Sequence, residues 1–194
     1  MNEKLAEKLV AWQIKHHYLS SEEKRLYQYA YELLIGQAVN LLIAGLLAVL
    51  FHAYVTVAVF LLAFIPLRSY AGGHHADSSN VCTIISALMI CLVCVLSGSV
   101  PEDTALPLGM VTAVVSGVPV FLLAPVADQK KPLDEEEKRR YGRRSRVIWG
   151  LETVVWTACC CRRMYSICFA VLYAHLSAAI LLCAGVVKNK RKQE

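Results

Sequence analysis

Charge is scarce in this chain of 194 residues. Asp, Glu, Lys and Arg make up 18% of it, against roughly 25% in soluble domains. The charge collects in short stretches, and long stretches carry none. The early lysines are not followed by an apolar core, so no signal peptide is expected. HExxH is missing, which removes a zincin-type intramembrane protease. Internal repeats are missing too, so an inverted-repeat transporter gains no support. Apolar residues, by contrast, reach 57%, above the roughly 45–50% of soluble chains. These features exclude a disordered chain, a disulfide-stapled miniprotein and a typical cytosolic enzyme. They imply an all-α polytopic membrane protein with little mass outside the bilayer.

Six apolar runs are candidate spans: 33–51, 53–67, 81–96, 106–126, 147–161 and 167–187. A break near His52 separates the first two, and Gly117 and Pro119 interrupt the fourth. Several runs fall short of the roughly 20 residues of a straight span, but flanking residues can extend them. Ahead of them, Leu5, Leu9 and Trp12 recur at helical spacing, with Lys4, Lys8 and Lys15 off that face. This pattern predicts an amphipathic helix lying in the membrane interface. Ser20 and Glu23 fit a capping box that starts a second helix.

The net charge of +5 follows the same layout. With the N-terminus inside, the inner segments hold 18 of the 20 Lys and Arg. That asymmetry is what the positive-inside rule expects, and it places both termini in the cytoplasm. Arg162 and Arg163 are the misfit, and they suggest a shifted or bent fifth span. No motif or basic-aromatic surface supports binding to nucleic acid.

Most of the eight cysteines lie in or beside apolar runs, where Cys acts as a small hydrophobe. Cys91 and Cys94 spell CxxC without a partner pair, so no metal or cofactor is expected there. His16, His17, His52 and His175 read as solitary or interfacial side chains.

One inner loop stands apart: RSYAGGHHADSSNVC, residues 68–82. Gly72 and Gly73 permit a tight, exposed backbone. Asp77, Ser78, Ser79 and Asn80 are consecutive N-cap candidates, which puts Cys82 in the first turn of the third span. A Cys at a helix N-terminus near a histidine is where a thiolate is favoured. On one continuous helix His75 and Cys82 would stand about 10.5 Å apart along the axis, too far for a hydrogen bond. The caps instead leave His75 ahead of the helix, where the Gly-Gly turn can fold it back. A Cys–His pair in this setting suits nucleophilic attack on a carbonyl. The competing interpretation is a polar interfacial loop beside a buried Cys.

The arrangement R-x-x-x-G-G-x-H-A-x(5)-C, formed by Arg68, Gly72, Gly73, His75, Ala76 and Cys82, resembles the accessory gene regulator B (AgrB) family. These are bacterial membrane cysteine endopeptidases of quorum sensing. YAYELLIGQAVNLL (residues 29–42), with Glu32, resembles the family's first span. APVADQKKPLDEEEKRRYGRRS (residues 124–145), with Lys130 and Lys131, resembles its basic inner loop.

The resemblance implies one membrane-embedded peptidase domain over residues 1–194. Residues 1–32 would form interfacial helices, 33–187 a transmembrane bundle and 188–194 a basic cytoplasmic tail. It implies removal of the C-terminal part of a small AgrD-like propeptide, then closure of the remainder into a thiolactone or lactone. Cys82 is then the nucleophile and His75 the general base. Asp77 either orients His75 or caps the helix. Arg68 would hold a substrate carboxylate or a phospholipid headgroup. Gly72 and Gly73 would admit substrate backbone or donate N–H groups to an oxyanion.

The basic loop from Lys130 to Arg146 would bind an acidic precursor tail, or set topology and bind anionic lipid. Asp134–Glu137 inside it would start a short solvated helix. Faces rich in Ala and Gly could pair protomers into a homodimer. Two other functions compete. A small peptide exporter would need mid-span charge or broken helices, and the runs read as lacking both apart from Gly117 and Pro119. A non-catalytic scaffold would carry Cys82 as an ordinary thiol.

Overall fold

The computed structural model describes residues 2–16, 18–73, 79–127 and 133–191. These residues form seven α-helices: α1 (Asn2–Lys15), α2 (Lys24–Leu50), α3 (Tyr54–Ala71), α4 (Ser79–Ser97), α5 (Ala105–Leu123), α6 (Glu135–Cys161) and α7 (Tyr165–Arg191). The chain divides into two compact units. One comprises residues 1–46 and 76–88, the other 47–75 and 89–194.

In the first unit, α1 buries Ala6 and Val10 and leaves Leu5, Leu9 and Trp12 exposed. Gln13 Nε2 donates to the Tyr31 hydroxyl at 2.6 Å, which ties α1 to α2. The exposed apolar row, flanked by lysines, is the face of an interfacial helix. The capping box expected at Ser20 does not form. Its hydroxyl donates to the Glu23 carboxylate at 3.1 Å, and a 3-10 turn over Ser21–Glu23 precedes α2. The short Ser20 side chain is spent on a side chain, not on a backbone N–H.

Among the described residues, four helical segments are long and apolar enough to cross a membrane: α2, α3, residues 102–123 and α7. The apolar part of α4, Val81–Ser97, is shorter. α6 combines a charged first half with the apolar run 147–161. The six-run pattern therefore becomes four full-length spans, one short helix and one half-charged helix. The chain is a multi-pass membrane protein. Leucines such as Leu42 and Leu62, each 74% exposed, face outward as lipid contact requires.

In the second unit, α7 packs against α3, α5 and α6 and carries more buried residues than any other helix. Lipid supplies no hydrophobic drive between helices, so small residues and close packing must hold them together. α5 and α6 show how. A Cβ on Gly109 would fall 1.8 Å from the Trp156 ring, and one on Gly117 would fall 3.0 Å from the Trp149 ring. Each indole thus occupies the space left by a glycine. Gly117 and Pro119 do not interrupt the fourth run, because α5 continues through both.

Asp134 accepts from the Glu137 N–H at 2.6 Å and completes a capping box. It starts a helix of 27 residues, not a short solvated one. The basic residues from Lys138 to Arg146 are therefore helical, not loop. Arg162 and Arg163 form the turn into α7, after an α6 that is one continuous helix to Cys161. Met164 N–H bonds Cys159 O at 3.0 Å and Arg163 N–H bonds Cys160 O at 3.0 Å, with Arg163 at φ 57°. This is a Schellman closure with Arg where Gly is usual. The break at His52 has the same form. Ala53 N–H bonds Ala48 O at 2.9 Å, and His52 sits at φ 51°.

Candidate functional site

α3 ends where the unusual loop begins. Gly72 N–H bonds Arg68 O at 3.1 Å, and Arg68 Nη1 donates to the Gly72 carbonyl. The guanidinium therefore caps the end of its own helix, a favourable place for a cation. Gly72 lies at φ 73° and ψ −149°, and Gly73 at φ 113°. Both conformations belong to glycine.

From there the backbone pairs with the segment after α5, in parallel, as Gly72 against Val126. Gly73 N–H bonds Val126 O at 3.2 Å, and Val126 N–H bonds Ala71 O at 3.0 Å. A Cβ on Gly72 would stand 2.1 Å from Val126 O. One on Gly73 would stand 2.6 Å from Leu181 O and 2.9 Å from Leu182 Cα. This short strap is thus pressed between the 126 backbone and α7. Beneath it lies a buried cluster of Ala71, Val120, Ala124, Val126 and Leu182, with Trp149 packed against it. Asn189 Nδ2 of α7 also donates to Ala127 O at 3.0 Å.

Both glycine N–H groups are therefore committed inside the chain. The backbone that approaches them closely is the protein's own. The first half of α6 lies beside the same exit: Arg144 stands over the Tyr70 ring at 5.3 Å, and Tyr141 meets that ring edge-on at 5.7 Å.

Cys82 is the fourth residue of α4, half-buried and a free thiol. Position alone does not single it out. Cys168 is likewise the fourth residue of α7, but it is fully buried and its thiol donates to Trp156 O at 3.9 Å. Glu32 lies in α2 and accepts from Gln28 Nε2 at 3.1 Å. His75, Asp77, Lys130 and Lys131 lie outside the described residues. Arg68, Gly72 and Gly73 are brought together; Glu32 and Cys82 belong to the other compact unit.

The sequence reading missed one constellation. His175 is neither solitary nor interfacial: its Nε2 lies 2.9 Å from Glu152 Oε2, with side-chain exposures of 3% and 14%. The Trp149 ring stacks on His175 at 5.9 Å, and its N–H donates to Ser116 Oγ at 3.0 Å. An ionisable pair is therefore present inside the bundle after all. The signal was there to find, since Glu152 is the one acid inside its apolar run.

No solved structure matches the chain. An AgrB-like protein of Clostridium perfringens (strain SM101 / Type A) is 30% identical over 125 residues, covering 62% of this chain and 58% of the relative. The match thus spans little more than half of that relative's length. An AgrB-like protein of Lactiplantibacillus plantarum is 27% identical, covering 76% of this chain and 74% of its own. One of Listeria monocytogenes serotype 4a is 29% identical, covering 78% and 72%. These names record likeness and no activity. The family model for Accessory gene regulator B matches residues 3–184, and the chain belongs to that family.

Proposed function

We propose that this chain is a single membrane-embedded cysteine endopeptidase of the agr quorum-sensing system. It removes the C-terminal part of a small AgrD-like propeptide and promotes cyclisation of the rest. Both termini and the loop of residues 68–82 face the cytoplasm, following the distribution of Lys and Arg. The observation that carries this function is the strap. Gly72 and Gly73 are wedged where no side chain fits, two residues before His75, and a half-buried free thiol lies in the first turn of the next helix.

Covalent reach keeps His75 Cα within about 7 Å of Gly73, and Lys130 Cα within about 14 Å of Val126. The strap joins Gly73 to Val126, so the chain leading to His75 and the chain leading to Lys130 set out from one point. His75 takes the Cys82 thiol proton, and the sulfur attacks the scissile carbonyl. The C–N bond breaks, and the departing amine takes the proton from His75. The acyl-enzyme thioester then exchanges with a substrate thiol, which forms the thiolactone and returns the proton to Cys82. A substrate hydroxyl would give a lactone by the same exchange. Water must be kept out until then, and a site at the membrane edge favours that.

Incubation of purified protein with a synthetic precursor, read by mass, tests this. Cys82→Ala and His75→Ala should each abolish cleavage while the protein still inserts. Normal cleavage by Cys82→Ala would refute it. Peptide export is the competing function, favoured by the Glu152–His175 pair inside the bundle. It requires transport in proteoliposomes that survives Cys82→Ala with no cleaved product.

A further inference from the structure

We propose that Glu152 and His175 are positioning residues: they fix α7 against α6, and so hold the strap that ends two residues before His75. This rests on the peptidase function proposed above.

An ionisable pair inside a membrane bundle is costly, and a pair of well-packed apolar residues would usually serve stability as well. Its presence calls for a role that packing alone does not fill. The contacts lead from the pair to the strap. His175 stacks on Trp149. Trp149 is held by Ser116 of α5 and packs on the cluster that contains Ala71, Val126 and Leu182. Ala71 precedes the strap, Val126 pairs with it, and Leu182 lies under Gly73. Leu181 and Leu182 follow His175 by about two helical turns, roughly 10 Å along α7.

The slot tolerates little movement. Even a Cβ at Gly73 would stand only 2.6 Å from Leu181 O. A shift of α7 by a fraction of an ångström therefore changes the seat of Gly73. Hydrogen bonding between Glu152 and His175 opposes such a shift, because its distance and angle tolerate less sliding than a Leu-on-Leu contact would. A proton relay fits less well. α5 carries no titratable side chain, and the Ser116 hydroxyl already accepts from Trp149.

The test compares purified wild type, Cys82→Ala, Glu152→Gln and the double variant Glu152→Leu/His175→Leu. The double variant leaves no unpaired buried charge, so its thermal midpoint should stay near wild type. Its kcat on a synthetic precursor should fall at least tenfold, with KM within twofold. Amide exchange at Gly73 and Val126 should speed up at least tenfold. Glu152→Gln still accepts a hydrogen bond from neutral His175, and it should restore both readouts to within threefold of wild type. Unchanged exchange at Gly73 and Val126 in the double variant would overturn the inference, whatever the activity. So would equal impairment of Glu152→Gln and the double variant. Wild-type cleavage by Cys82→Ala would instead strike the peptidase function itself.

Discussion

Gly73 sits at φ 113° with its missing Cβ aimed at the α7 backbone, where nothing can give way. Gly73→Ala should cost about 2–4 kcal/mol, since backbone strain and a backbone clash add. Thermal unfolding in micelles would measure it. Gly45→Ala is the matched control, because its Cβ meets nothing within 4 Å. It should be neutral or stabilising by up to about 1 kcal/mol through helix propensity. At this scale the sequence was partly legible. The Gly-Gly pair announced an unusual backbone, but which backbone it would meet depends on residues more than fifty positions away. His52 and Arg163 at positive φ were not legible, because the recognisable signal for such a turn is glycine.

Helices meet in this protein through matched shapes. Gly109 faces Trp156 and Gly117 faces Trp149, two turns apart on each helix. Gly109→Ala should destabilise by about 1–3 kcal/mol, because a rigid indole has nowhere to move. Trp156→Ala in the same chain should recover part of that loss, and a double-mutant cycle by thermal unfolding would show the coupling. Gly117→Ala, at 3.0 Å, should cost less than Gly109→Ala, at 1.8 Å. Asp134→Ala should cost about 1 kcal/mol and appear as faster amide exchange over the first turn of α6. Helix extents followed from apolar runs and caps. The helical nature of the basic segment did not, because its charges read as a loop until the run 147–161 is seen to continue the same helix.

Charge collects at the chain's ends, in residues 134–146 and at the turns around 102–103 and 162–163, with apolar runs between them. If both termini face the cytoplasm, the α6–α7 turn faces outward. In a chain with Cys161 as its sole cysteine, an impermeant maleimide should label intact cells. With Lys190→Cys as the sole cysteine it should label only opened membranes. The reverse pattern would invert the orientation. Membrane class and span order could be read from composition, because lipid sorts residues by polarity alone. Glu152 stands out in its run, but its partner His175 and the strap could not be read. One pair of hydrogen bonds between distant segments leaves no periodic trace.

The strap also bears on how the chain tolerates being cut. A nick between residues 128 and 132 would separate α1–α5 from α6 and α7. The two pieces would keep Gly73 seated on Leu181, Asn189 bonded to Ala127 and both indoles against their glycines. Co-expressed halves ending and beginning there should therefore complement one another in the membrane.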